Sequence, residues 1–262
     1  MKILVCIKMV PDTSETEVSI DWTGKGINSV GLKFDINEAD NYAVEEAMLI
    51  KEVHGGTVTV LSMAPKDADV MIRMALSKGG ERAVRIEDPR VNLRDPLQVA
   101  KVLAAAIRNE EFDLILTGCM SSDDKNMSVG VALAAELGIN HASMVKHVDV
   151  EPEKVTVHRE LEGGMLEVME VALPAVLTVQ TGINTPRYAP IRELRQAMKK
   201  ELKVVTLDDL GVDVGQVSEA GSKVEFLGFY FPQVISNATM LEGTPDEKAE
   251  QIAFKLVKGG LL

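Results

Sequence analysis

The sequence predicts an α/β fold: a doubly wound, mainly parallel sheet that is extended by antiparallel strands and followed by a C-terminal arm. Three observations support this prediction. In roughly the first half of the chain, short apolar runs alternate with segments whose apolar residues recur every three or four positions. From Val145 onward, apolar and polar residues alternate one by one, as in antiparallel strands with one solvated face. Beyond Val205 the sequence becomes a polar linker with a short strand and one helix.

The parallel part of the sheet is predicted from buried strands and the helices between them. Lys2 to Lys8 is a nearly unbroken apolar run, as expected of a strand buried on both faces. Asn37 is a good N-cap for the first helix, and Asp95-Pro96 supplies a cap and an N1 proline for another. Buried strands are predicted at 2–8, 57–63, 83–86 and 114–118, an exposed hairpin strand at 17–21, and helices at 38–53, between Pro65 and Gly79, at 97–108 and from Val129.

The second half is predicted to complete the sheet and then leave it. Antiparallel strands are expected at 145–150, 155–160, 166–171 and 176–180, with a turn at Glu162-Gly163-Gly164. The domain boundary is expected at 205, so that residues 1–205 form the α/β domain and 206–262 the arm. Within the arm, the pattern predicts a strand at 224–229 and a helix at 245–258.

Composition limits the classes of function. The net charge of −12 over 262 residues argues against nucleic acid as a partner, because no basic stripe is present to displace counterions. The two cysteines form no CxxC pair, which favours a reducing, cytoplasmic setting over a disulfide framework or a zinc site. The four histidines show no ligand spacing, so we expect no metal centre. No apolar run reaches the roughly 18 residues that a membrane span requires, and we expect no membrane insertion.

The stretch from Gly118 to Gly130 is the first candidate site, because a strand, a polar loop and a helix N-terminus follow one another there. Ligands of open α/β sheets bind beyond the carboxyl ends of strands, where helix N-termini offer unpaired N–H groups. The loop adds hydroxyl, amide and carboxylate groups from Ser121, Ser122, Asp123, Asp124, Asn126 and Ser128. The spacing alone leaves open that these are ordinary caps and turn formers, since the stretch contains neither a P-loop nor G-x-G-x-x-G.

A second candidate site lies at 182–200. Pro186 and Pro190 stiffen a loop that would present Tyr188 and Ile191 outward. A short cationic helix with Arg192, Arg195, Lys199 and Lys200 follows in an otherwise acidic chain. This pattern favours a docking surface for an acidic partner, although a simple solvated helix face would look the same. The aromatic residues at 226, 229, 230 and 231 either cover a partner subunit or pack on the chain's own core.

Along almost its whole length, the chain resembles the β subunit of electron transfer flavoprotein. Five stretches carry the resemblance, together with the family signature from Val157-x-Arg159 to Thr178, in which Met169 is unusual. The loop departs from the common pattern at Gly118-Cys119-Met120 and at Met127-Ser128-Val129-Gly130. The five stretches are Val5-Cys6-Ile7-Lys8; Asn37 with Ala43-Val44-Glu45-Glu46-Ala47; Pro96-Leu97-Gln98-Val99-Ala100-Lys101; the Gly118–Gly130 loop; and Asn184-x-Pro186-Arg187-Tyr188-Ala189 with Lys199-Lys200.

The resemblance implies a heterodimer in which an α subunit holds most of an FAD and this chain closes over the flavin ring. It also implies a separate adenine nucleotide, electron donors such as acyl-CoA dehydrogenases, a quinone reductase as acceptor, and no substrate chemistry of the chain's own. The nucleotide would lie against Cys6 and Asn37 at the base, the backbone of Met63, and Gly118, Ser121, Asp123, Asn126, Ser128 and Val129 along the ribose and phosphate. The recognition loop 182–200 would dock through Arg187, Tyr188, Arg195 and Lys199, with Ile191 as the inserted apolar residue.

Other functions remain open from the sequence. One alternative is an electron-bifurcating flavoprotein subunit with a second FAD and NADH oxidation, and others are an ATP-using enzyme or a nucleotide-sensing module. We expect AMP and not a second FAD, because Pro96 has no N–H and the charge of Asp95 would repel a second phosphate. Val129, which has no hydroxyl for a phosphate, resembles the bifurcating branch instead.

Overall fold

The computed structural model of the chain describes residues 1–14, 16–108, 110–233 and 238–261. It divides into two compact units, Met1–Leu227 and Gly228–Leu262. The strands are β1 Lys2–Cys6, β2 Met9–Asp12, β3 Lys33–Ile36, β4 Thr57–Met63, β5 Arg82–Ile86, β6 Leu114–Gly118, β7 Asn140–Val150, β8 Lys154–Glu160, β9 Leu166–Ala172, β10 Ala175–Val179 and β11 Glu201–Val205. The α-helices are α1 Glu38–His54, α2 Asp69–Ser77, α3 Pro96–Ile107, α4 Val129–Leu137, α5 Ile191–Ala197, α6 Leu207–Leu210 and α7 Pro245–Lys258.

The first unit is built on one large sheet. Within the described residues this sheet has nine strands in the order β11-β5-β4-β1-β6-β10-β7-β8-β9. Neighbouring strands from β11 to β7 run parallel, whereas β8 runs antiparallel to both β7 and β9. The predicted doubly wound, mainly parallel sheet with an antiparallel extension is therefore confirmed.

The alternation of side chains along the strands separates two hydrophobic cores. In β1, Ile3 and Val5 belong to the core that is covered by α1 and α2, whereas Leu4 and Cys6 belong to the core under α3 and α4. Successive residues of a strand point to opposite faces, so a central strand with helices on both sides must be apolar throughout. This requirement explains why the central strands of the sheet read as continuous apolar runs.

The prediction that 176–180 is an antiparallel strand is wrong. This segment is β10, which lies between β6 and β7 and runs parallel to both. All five residues of β10 are buried. Two buried faces are the mark of a parallel strand in the middle of a sheet, and the sequence Ala-Val-Leu-Thr-Val fits that environment.

Other local predictions differ from the structure in detail. The strand β11 was not predicted, because its sequence has only two consecutive apolar residues at its end. β2 and β3 form a separate antiparallel pair, while residues 17–21 contribute only an isolated bridge from Ile20 to Ile27. Residues 224–229, all of which are described, form no strand. At Phe226 the guanidinium of Arg94 instead lies over the ring, 4.0 Å from its centroid.

The second unit contains α7, which has the predicted bounds. Thr244 and Glu247 form a capping box at its N-terminus, and Pro245 occupies the first turn, where the missing N–H costs nothing. None of the residues of α7 is buried. Its apolar side chains are therefore available for contact with another surface.

Candidate nucleotide cleft and docking surface

The main cleft of the first unit lies at the carboxyl ends of β1, β4 and β6. β4 pairs with one side of β1, and β6, which the chain reaches from β5, pairs with the other, so the cleft lies at a topological switch point of the sheet. It contains about 1050 Å³ of unfilled space, part of which is continuous with solvent. Its lining combines apolar side chains with a few polar groups, as is usual for small-ligand sites.

The structure brings most of the predicted nucleotide-site residues to this cleft. Those that line it are Cys6, Asn37, Met63, Gly118, Ser121, Asn126, Ser128 and Val129. Asp123 is not among the lining residues but belongs to the same loop, where its Oδ1 lies 2.8 Å from Lys8 Nζ. Leu93, Pro96, Val99 and Leu103 add an apolar wall from α3 and the loop before it.

Two glycines allow the elements around the cleft to approach one another. A Cβ added to Gly118 would lie 2.4 Å from Asp40 Oδ1, and one added to Gly130 would lie 2.5 Å from Thr178 Cγ2. Both distances are far below van der Waals contact. The end of β6 can therefore lie against α1, and the first turn of α4 against β10, only because neither residue has a side chain.

Asp40 is a central residue of the cleft that sequence reasoning missed. Its Oδ2 accepts a hydrogen bond from the backbone N–H of Lys8, and its Oδ1 accepts one from the backbone N–H of Gly118, each at 2.8 Å. Burial raises the pKa of this carboxyl to about 6, although the two backbone N–H groups oppose the shift. A signal was present, because Asp40 falls on the buried stripe of α1 with Ala43 and Ala47.

Asn37 does not cap α1 with its side chain, contrary to the prediction. Its Nδ2 donates to the carbonyl of Met120 at 2.9 Å, and its Oδ1 accepts from the backbone N–H of Ser122 at 3.0 Å. The amide thus satisfies backbone groups of the loop between β6 and α4, which would otherwise lack partners there. Asn37 therefore fixes the shape of the loop that forms the cleft.

Lys8 is the second residue of the cleft that the sequence did not reveal. Its Nζ lies 2.8 Å from Asp123 Oδ1 and also bonds Asp124, and it donates to Ser121 Oγ at 3.4 Å. Burial is the largest single influence on the pKa of Asp123 and acts to raise it. The contacts of the carboxylate, led by the hydrogen bond and charge of Lys8, together outweigh burial and lower the pKa. Because Lys8 directly follows the buried run of β1, its position at a strand end was the available signal.

The loop between β6 and α4 is held in an uncommon conformation. Lys125 and Met127 have φ values of 55° and 52°, in the left-handed region that non-glycine residues rarely adopt. Ser128 does not cap α4, because its hydroxyl donates to the carbonyl of Asn126 at 2.6 Å. With Ser128, Val129 and Gly130 all lining the cleft, the uncapped N-terminus of α4 meets it directly. Such a terminus favours an anion.

The N-terminus of α3, by contrast, is already capped. Asp95 is buried, and its Oδ1 accepts from the N–H groups of Leu97 at 2.9 Å and Gln98 at 3.4 Å, as predicted for a cap. Its Oδ2 accepts from the hydroxyl of Ser222 at 2.8 Å. Burial acts to raise the pKa of Asp95, but these hydrogen bonds outweigh it and lower the pKa. Asp95 is therefore a carboxylate that occupies the helix terminus.

Neither cysteine has the features of a reactive thiol. Cys6 lines the cleft but is buried, and burial followed by the charge of Asp40 raises its pKa. Cys119 is also buried, and its Sγ donates to Gln180 Oε1 at 3.2 Å. Both behave as small packing residues. Across the described residues, no group of three or more potential metal ligands is found.

The predicted docking residues separate into two groups. Tyr188 is 91% exposed and Ile191 is 70% exposed, and both lie on the surface with Arg195 and Lys199. Arg187 instead turns inward, where its guanidinium pairs with Glu45 of α1. Exposed apolar side chains next to cations are typical of a surface that meets a partner.

The helix α7 of the second unit presents a further apolar surface. Ile252, Phe254 and Val257 are between 47% and 67% exposed. A helix that leaves a phenylalanine and two aliphatic side chains in water gains stability when another surface covers them. No helix of the described chain has the length and apolar character needed to cross a bilayer.

Comparison with known proteins gives a consistent result. The family model described as "Electron transfer flavoprotein domain" matches residues 26–210. The electron transfer flavoprotein subunit beta of Methylophilus methylotrophus is 38% identical over 256 residues, which cover 96% of each chain. The subunit of the same name from Thermoanaerobacterium thermosaccharolyticum is 36% identical over 257 residues and 98% of each chain. That of Mus musculus is 33% identical over 249 residues and 94% of each chain.

Proposed function

This chain belongs to the electron transfer flavoprotein β-subunit family, and from that premise we propose that it shares one FAD with an α subunit and binds one AMP in the cleft at the ends of β1, β4 and β6. In this proposal it receives electrons from flavin dehydrogenases of the acyl-CoA dehydrogenase type and delivers them to a quinone reductase. FAD supplies the electron-carrying chemistry when bound. The chain itself binds the nucleotide, docks the donor and covers its partner subunit.

The observation that carries the AMP assignment is the difference between the two helix termini at the cleft. The N-terminus of α4 is uncapped and lined by small residues, so it suits one phosphate. The N-terminus of α3 is occupied by the Asp95 carboxylate and begins with Pro96, which has no N–H. A second phosphate placed there would meet a negative charge and no free donor. One phosphate fits this donor set better than two.

The residues around the cleft fit an adenine nucleotide. The glycines at 118 and 130 let the elements around the cleft pack closely, and Ser121 and Ser128 lie along its lining. We propose that the apolar wall from Leu93 to Leu103, together with Cys6 and Met63, receives the base. Asp123 and Asn126 would then lie near the ribose and phosphate, with Lys8 holding the loop that carries them.

One observation favours a second candidate function. Val129, at the first position of α4, has no hydroxyl to offer a phosphate, as in the branch of the family that carries a second FAD and oxidises NADH. Val129 only omits one favourable contact, whereas the Asp95 carboxylate would add an unfavourable one. We therefore weight the α3 terminus more and propose AMP.

Docking of the donor is assigned to the exposed part of 182–200. Ile191 would insert into an apolar pocket of the dehydrogenase, with Tyr188 beside it, while Arg195 and Lys199 attract an acidic surface. The arm 206–262 is assigned to the α subunit through its helix α7, because the apolar side chains of α7 are exposed in the isolated chain.

The experiment is to co-express the chain with its α subunit, purify the complex and record its visible spectrum. Denaturation followed by chromatography then gives the released nucleotides. We expect flavin absorption and one FAD and one AMP per heterodimer. Two FAD without AMP would replace the proposal with the bifurcating function. A complex without flavin would reject the electron-carrier function and leave an ATP-using enzyme or a nucleotide-sensing module.

A further inference from the structure

The segment 182–200, which carries the docking residues, is fastened to two helices by partly buried polar contacts. On α1, Glu45 is 3% exposed and receives three donors of Arg187. Arg187 Nε lies 2.9 Å from Glu45 Oε1, Nη2 lies 2.8 Å from the same oxygen, and the backbone N–H of Arg187 donates to Oε2 at 2.9 Å. Arg187 Nη1 also bonds Glu52, about two turns further along α1.

The next residue of α1 holds the loop at a second point. Asn184 Nδ2 donates to Glu46 Oε2 at 2.9 Å and to the carbonyl of Tyr42 at 3.1 Å. The adjacent Glu45 and Glu46 thus each take one residue of the Asn184-x-x-Arg187 stretch. Two motifs that lie about 140 residues apart in the sequence form one structural unit, which we call the α1 clamp (Glu45, Glu46, Asn184 and Arg187).

The other end of the segment is fastened to α2. Arg73 Nη1 donates to the carbonyl of Ala197 at 2.8 Å and to that of Lys200. Lys200 Nζ donates in return to the carbonyl of Leu76 at 2.9 Å and to that of Gly80 at 2.6 Å. Arg73 thus places positive charge at the C-terminus of α5, and Lys200 places positive charge at the C-terminus of α2, which suits both helix dipoles. Tyr188 and Ile191 project from the chain between the two attachments.

From these contacts we infer that Arg187 is a positioning residue and not a contact for the partner, and that the α1 clamp presents Ile191 in its docking conformation. The inference rests on the docking role proposed for 182–200. The charge of Arg187 is already shared by two carboxylates, so little of it is offered to an acidic partner. A loop that is ordered before binding avoids the entropy cost of ordering during docking.

The clamp and a direct contact give opposite expectations for conservative changes. Lysine keeps the positive charge of Arg187 but cannot form the planar, forked contact with Glu45. If Arg187 met an acidic partner, Arg187→Lys would preserve docking and Glu45→Gln would have little effect on it. If Arg187 and Glu45 act as a clamp, each change loosens the loop, and combining them adds little to either alone.

The test uses the purified heterodimer with Arg187→Lys, Glu45→Gln, the double variant, and Arg195→Gln as the matched control for an exposed cation. Measured quantities are the KM and kcat for reduction by a flavin dehydrogenase, the dependence of KM on salt, and hydrogen exchange of the amides of 182–190. We expect both single clamp variants to raise KM by about tenfold with kcat unchanged, to speed amide exchange, and to keep the wild-type salt dependence. Arg195→Gln should flatten the salt dependence and leave exchange unchanged.

Two outcomes would overturn the inference. One is wild-type KM and exchange in Arg187→Lys, and the other is a flattened salt dependence in Arg187→Lys like that of the Arg195 control. Exchange is measured without a donor, so it tests the clamp even if no dehydrogenase reduces the wild-type complex. If no dehydrogenase reduces the wild-type complex, that result would reject only the proposed docking function. Arg187 lies at the partly exposed end of the clamp, so Arg187→Lys disturbs the core less than Glu45→Gln does. It provides the readout if Glu45→Gln does not fold.

Discussion

Replacing Asp40 with asparagine tests whether a buried carboxylate holds the two strand ends of the nucleotide cleft. Asp40 accepts from the N–H groups of Lys8 and Gly118 through separate oxygens. Asparagine has the same size but only one oxygen, so its NH2 group would face one of these donors. Leaving one buried N–H without an acceptor destabilises the fold by about 1–3 kcal/mol. This part of the effect is independent of pH.

A second part depends on pH, and its sign follows from the raised pKa. Burial raises the pKa of Asp40 from 3.8 to about 6 in the folded protein. The folded state therefore holds the proton more tightly, and the stability that Asp40 contributes is present in acid and is lost as pH rises through 6. Integrating the difference in bound protons between pH 5 and pH 8 gives a loss on the order of 1 kcal/mol for the wild type. Asparagine does not titrate, so the cost of Asp40→Asn should be greater at pH 5 than at pH 8 by that amount.

The assay is urea unfolding of wild-type and variant heterodimers at pH 5 and pH 8, at one protein concentration. Asp88→Asn is the control. Hydrogen bonds from Arg90 lower the pKa of Asp88, so this carboxyl is ionised in both folded and unfolded states over that range. The cost of Asp88→Asn should therefore be the same at both pH values. A cost of Asp40→Asn that is equal at pH 5 and pH 8, or greater at pH 8, would refute the reasoning.

Four further changes follow from the same contacts. Gly130→Ala would place a Cβ 2.5 Å from Thr178 Cγ2, so we expect a lower melting temperature, from about 1–3 kcal/mol of overpacking, and loss of AMP; full AMP content would contradict this. Ile191→Ala should lower kcat/KM for reduction by the donor by a factor equivalent to about 2 kcal/mol, with flavin content unchanged. Unchanged stopped-flow kinetics would rule out insertion of Ile191 into the donor. Lys199→Glu should weaken donor encounter at low salt only, and an effect that persists at high salt would argue for another role. Lys8→Gln should weaken AMP binding, measured by calorimetry, severalfold, because Asp123 loses its cation. An unchanged affinity would show that the contact between Lys8 and the loop does not contribute to AMP binding.

Local sequence patterns determined much of the fold. The bounds of β4 and α7 agree with the predicted segments, since apolar periodicity and capping residues act within a few positions of the chain. The Asp95 cap was also predicted for this reason. For β10 the local pattern was read correctly as a strand, but its direction depends on which strands lie beside it. That choice is made by pairing with β6 and β7, which are distant in sequence.

The cleft and the docking surface show the same division. The polar loop from Gly118 to Gly130 was recognisable because a strand, a turn and a helix start follow one another directly. Lys8 and Asp40 could not be assigned to it, since their contacts with the loop span 78 residues or more. Arg187 has the sequence context of a surface cation, but it binds Glu45, which lies 142 residues earlier. The sequence by itself determined where most of the helices and central strands lie and which of their faces are apolar, because periodicity and capping are set by neighbours along the chain. Only the tertiary structure decided which polar groups meet, because a hydrogen bond or ion pair requires a partner whose position depends on how the whole sheet is assembled.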